Sequence, residues 1–188
     1  MKSIKAVLSA FFGFFFGSKA KVDPNKITGF AFTGSPSCWI SRGESRLVYA
    51  NEGFEFSAKV SDIEGVQSVE IKIESKDHSE YWTVDFAAPV HTALFGEFPY
   101  ATRCGFQNEA NAGLSFTSPG RCCNRISGYF TVLEMGVNNE TLTCFAADFV
   151  QFDEMFQDQW NFGSIRYNSA APCTTTLPLE LQNVTSVE

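Results

Sequence analysis

Histidine is scarce in this chain: His78 and His91 are the only two among 188 residues. There is no C-x-x-C pair and neither histidine is near a cysteine pair in sequence, so the spacings of a thiolate–imidazole zinc site are missing. The same scarcity weakens any cysteine–histidine nucleophile, which needs a base within hydrogen-bond reach of its thiol. His78 falls in the hydrophilic turn SKDHSE, and His91 lies in a loop just after a proline. A serine hydrolase lacks its G-x-S-x-G turn. Asp153, Glu154 and Asp158 crowd together in VQFDEMFQDQW, but no D-x-D-x-D-G loop turns them into a calcium site. No metal and no cofactor is expected.

Basic charge is also thin. Fourteen Lys and Arg face 21 Asp and Glu, for a net charge of -7. Removing residues 1–20 takes away Lys2, Lys5 and Lys19 and leaves -10. Such a surface repels a phosphate backbone, and Arg121 with Arg125 is too sparse a basic patch to reverse that, so nucleic acid is excluded as a partner. Helix signals are almost absent outside the N-terminus.

What the chain does have is phenylalanine, 20 residues of it, at a length that suits one domain with a sizeable core. Rings and β-branched residues favour strands. From Ile27 onward, short apolar or alternating runs recur about every ten residues between turn signals. VQSVEIKIE is the clearest, with Val69, Ile71 and Ile73 on one face and Glu70, Lys72 and Glu74 on the other. The turn VNNE at 137–140 predicts one long hairpin, 127–135 with 141–152. The rhythm predicts an all-β fold, an antiparallel β-sandwich of jelly-roll or immunoglobulin-like type.

The N-terminus, MKSIKAVLSAFFGFFFGSKA, sets two lysines before an apolar run, Ala6–Gly17, and small residues before a cut after Ala20. This is the pattern of a secretory signal peptide, and the run is too short to span a bilayer comfortably. The division expected is 1–20 signal peptide, 21–26 linker, 27–169 β-sandwich domain and 170–188 irregular tail. Membrane contact is expected only through an uncleaved leader. Six cysteines, Cys38, Cys104, Cys122, Cys123, Cys144 and Cys173, form an even set in a chain read as secreted or periplasmic, and predict disulfides. Adjacent Cys122 and Cys123 sit too close to pair with each other, so each takes a different partner or one of them stays free.

Six ordered stretches, YWTVDFAAP, PYATRCGFQ, GRCCN, GYFTVLE, FAADFVQ and GSIRYNS, resemble a β-rich domain that recurs in exported bacterial proteins and has no assigned activity. Its pattern runs W-x-L-D-F-A-A-P, Y-x-x-A-T-R-x-x-F-Q, G-R-G-C-N, G-x-F-x-V-L-E, F-A-A-D-F-x-Q-x-C-E-G and G-x-I-R-Y-N-S. The resemblance spans about Cys38 to Ser169 and implies an extracytoplasmic β module. It departs at the sulfurs. The family's G-R-G-C-N cysteine falls on Cys123, while its C-E-G cysteine falls on Asp153, so that bridge is lost here. These departures point to rewired sulfurs; Cys122 or Cys123 with Cys104 or Cys144, and Cys38 with Cys173, is one choice among the fifteen pairings that six cysteines allow.

Two constellations could carry function. Asp148 in FAADFVQF has apolar neighbours on either face of a strand, and a buried carboxylate needs a partner or takes up a proton. Arg103, Arg121 and Arg166, matched through the resemblance, are the candidates for a structural ion pair with it. The sharper alternative sets Asp85 and Asp148 as acid and base on a glycosidic bond, which requires carboxyls about 5–9.5 Å apart. Trp39, Trp160 and Tyr167 are the candidate ligand-binding aromatics. The function expected is a non-catalytic binding or structural domain at the cell envelope or outside the cell, taking protein or carbohydrate. The alternatives are a secreted hydrolase using paired carboxylates and a subunit of an extracellular assembly.

Overall fold

A computed structural model describes residues 23–184, with the side chains of 183 and 184 left out. The leader expected at 1–20 lies outside the described residues. The described chain is almost entirely β: β1 (Ile27–Gly34), β2 (Ser45–Tyr49), β3 (Phe54–Ile63), β4 (Val66–Ser75), β5 (Tyr81–Ala87), β6 (Gly96–Arg103), β7 (Ala112–Thr117), β8 (Ile126–Asn138), β9 (Thr141–Asp153) and β10 (Trp160–Ser169), then one short helix, α1 (Leu179–Val184). The expected hairpin is present as β8 and β9. Asn139 and Glu140 join the two strands, both with positive φ, the two-residue loop whose twist suits a hairpin.

The two separate sheets of a sandwich are not formed. All ten strands share one sheet in the order β2-β1-β10-β9-β8-β6-β7-β5-β4-β3, curled into a near-barrel. The cause is visible in the core. One face of nearly every strand carries a ring or branched side chain, and the sheet twists until that face closes on itself. Phe86 of β5 meets Phe130 of β8 at 5.1 Å and Phe145 of β9 at 5.4 Å, while Phe30 of β1 meets Phe116 of β7 at 5.7 Å between ring centroids. Packing is close enough that a Cβ added at Gly163 would lie 2.2 Å from Phe149 Cζ, so glycine is required there.

β6 is wedged between β8, antiparallel to it, and β7, parallel to it. It stops at Arg103, and residues 104–111 cross back to start β7. A second apolar cluster lies on the outside of the barrel, where Leu177 and Leu181 cover Val150, Trp160 and Phe162. The tail from Ala170 is thus an outer layer over β9 and β10.

Candidate functional site

Three loops gather at one end of the barrel around Asp153, the last residue of β9. Its carboxylate is fully buried. Oδ1 accepts from Gln151 Nε2 and Asn161 Nδ2, each at 3.0 Å, and Oδ2 accepts from the Ile40 amide at 3.1 Å and the Cys38 thiol at 2.9 Å. The Cys123 thiol also hydrogen-bonds to it. So many donors satisfy a buried anion without a cation. Ser118 Oγ donates to the Ile40 carbonyl at 2.9 Å, the Asn124 amide donates to Glu154 Oε1 at 2.7 Å, and Ser37 Oγ donates to the Asp158 carbonyl at 2.7 Å. The loops 35–44, 118–125 and 154–159 are therefore one fixed unit. On its surface Trp39 is 50% exposed and Phe156 55%, with the Arg42 guanidinium 5.8 Å from the centre of the Trp39 ring.

Beside this unit, the early end of β6 leaves the outer half of β7 without a strand partner on one side. The Gln151 side chain fills that place. Its Oε1 accepts from the Phe116 amide at 2.7 Å and its Nε2 donates to the Phe116 carbonyl at 3.2 Å. A carboxamide thus supplies the two bonds a strand would have made. Outside it opens a cleft of about 360 Å³ lined by Asp85, Arg103, Cys104, Ser115 and Cys122 among others.

Asp85 points outward from β5, opposite Glu70 of β4 and Ser115 of β7. Burial, reinforced by the charge of Glu70, pushes its carboxyl up to about 7 from an ordinary 3.8. The folded protein thus holds this proton more tightly than the unfolded chain does. Stability from Asp85 is therefore full below about pH 4 and declines as the pH rises toward 7. Asp85→Asn, neutral throughout, is expected to match wild type near pH 4 and to be the more stable protein near pH 8, by about 1–3 kcal/mol in urea unfolding. Equal stability at both pH values would refute the assignment.

The buried thiols of this region, Cys38, Cys104 and Cys123, are poor nucleophiles. Burial, then the nearby Asp153, pushes Cys38 up to about 11, and burial also raises Cys104 and Cys123. Neither histidine lines the cleft: His78 Nδ1 contacts Glu74 Oε1 at 2.8 Å and the His91 ring lies over Gly65.

All six cysteines are free thiols, which corrects the expected disulfide framework. The reason is local. Cys38 and Cys123 both turn to Asp153, Cys122 is exposed, Cys104 meets Ser115, Cys144 lies beside Glu134 and Gly136, and Cys173 sits by Ser164 in the tail. Polar groups, rather than second sulfurs, lie against the five besides Cys122.

Of the three arginines considered for Asp148, Arg166 takes it, at 2.9 Å. Arg121 Nε donates to Ser118 Oγ, and Arg103 donates to the Asn124 carbonyl while lying over the Phe106 ring. Asp85 and Asp148 both face outward, on strands separated by β7, β6 and β8, so they do not flank one bond. The three aromatics are likewise dispersed. Trp39 is on the loop unit, Tyr167 is half-buried near the end of β10, and Trp160 is 2% exposed beneath the tail, where its ring offers no stacking face. Asp153, Glu154 and Asp158 point to separate tasks. Among the described residues no cluster of three or more His, Cys, Asp or Glu is placed to hold a metal ion, and no helix is long and apolar enough to cross a membrane.

Gln151 and Asn161 went unremarked in the sequence. Their signal was a carboxamide in the inward register of the apolar strands FAADFVQF and WNFGSI, where only a structural hydrogen bond justifies it. In comparisons with known proteins, no family model, no curated protein and no solved structure matches the chain.

Proposed function

We propose that the chain is an exported, non-catalytic binding module acting at the cell envelope or outside the cell, with a carbohydrate or protein ligand seated on the loop unit around Trp39. The observation that carries this reading is the clamp on Asp153, which holds a half-exposed indole and its arginine on a fixed base. Pre-organised aromatic platforms bind at low entropic cost. The leader pattern and the resemblance to exported β modules support the location. Raised thiol pKa values fit it too, because protonated thiols react slowly with oxidants.

Trp82 and Trp160 are buried, so Trp39 is the reporter. Titration with soluble β-1,4-glucan and N-acetylglucosamine oligomers, and with peptides shed from the host envelope, is expected to change tryptophan emission. Trp39→Ala should weaken that binding at least about tenfold with the unfolding midpoint unchanged. Binding that survives Trp39→Ala overturns the platform. Cleavage of the added oligomers overturns the non-catalytic reading and returns the hydrolase alternative.

A further inference from the structure

We infer that the free edge of β3 is a homodimer interface, at which two copies of the chain pair antiparallel about Ser57. The partner is a second copy of β3, and the contact lies outside the loop unit proposed for ligand.

Among the described residues β3 is hydrogen-bonded to β4 alone, and its other edge has no strand partner. Its inward row, Phe54, Phe56, Ala58 and Val60, stays only half-buried. The matching row of β4, Val69, Ile71 and Ile73, is sealed. An edge of this length with an incompletely covered apolar row is a template for another strand.

The sequence of β3 selects which strand and in what register. Centred on Ser57, a second copy sets Glu55 against Lys59 twice, Phe56 against Ala58 and Phe54 against Val60. Charges then oppose, and each large ring meets a smaller side chain. Centring on Glu55 or Lys59 instead sets like charges face to face. Toward its C-terminal end, Val60–Ile63 of β3 share a cleft with Met135, Val137 and Glu140 of the β8–β9 hairpin, so the pairing centres on the other half of the strand.

Sedimentation of residues 21–188 across the micromolar range is expected to show a reversible dimer. Glu55→Lys and Lys59→Glu should each weaken it at least about tenfold, and the double variant should restore it to within a few-fold. A monomer throughout that range, single variants that dimerise like wild type, or a double variant that stays monomeric would each overturn the interface.

Discussion

Asp153→Ala is expected to cost about 4 kcal/mol or more, a large part of the 5–15 kcal/mol that holds a typical domain together. Five donors converge on that carboxylate in the absence of solvent, from Gln151, Asn161, Cys38, Cys123 and the Ile40 amide. Each buried donor left unpaired costs about 1–3 kcal/mol, and a water entering the cavity recovers part of the sum. The loss extends beyond the loop end, because Gln151 is oriented by Asp153 and in turn holds the open edge of β7. Asp153→Asn keeps the shape but turns a donor toward donors, and is expected to lose about 2–3 kcal/mol. Urea unfolding measures both, and Trp39 emission reports the local change. A loss under about 1 kcal/mol for Asp153→Ala would mean that the loops are held by something else.

Arg166→Met is the second large effect, about 3 kcal/mol, with the tail released. The guanidinium is only 2% exposed, yet it donates to the carbonyls of Ala147, Ile165 and Pro172 at 2.9 Å and lies 2.9 Å from Asp148. Pro172 belongs to the tail, so the same side chain joins β9, β10 and the outer layer. Removing it strands a carboxylate that is part-buried, and breaking such a pair costs more than the pair is worth. Thermolysin should then cut at Leu177 and Leu181, whose side chains the wild type packs against Val150, Trp160 and Phe162. Arg166→Met with Asp148→Leu is expected to recover most of the stability, because both charges go together. If the double variant is no better than the single, the loss comes from the tail carbonyl and not from the ion pair.

Strands were legible where apolar side chains alternate. Ile71 and Ile73 point inward, and Lys72 and Glu74 outward. The hairpin of β8 and β9 was readable because its turn residues accept positive φ. Topology was not legible. Strand periodicity says which face is buried but not which neighbour lies beside it, and a parallel β6–β7 pair within an otherwise antiparallel sheet leaves no local trace. The expected sandwich failed for this reason: an inward face looks the same in two packed sheets and in one sheet that curls. The Asp148–Arg166 pair was visible as a problem, a carboxylate among apolar residues, and the solution needed the register of β9 with β10. Trp160 misled because an outward-facing ring reads as exposed until the tail that covers it is placed.

The bridging carboxamide at Gln151 gives the folded protein a chemical lifetime. Hydrolysis of that amide would exchange a proton donor for a second anion pressed against the Phe116 carbonyl and the Asp153 carboxylate. Burial slows such ageing, but once it happens the bond to the Phe116 carbonyl loses its donor. Old protein should therefore fray first where β6 runs out.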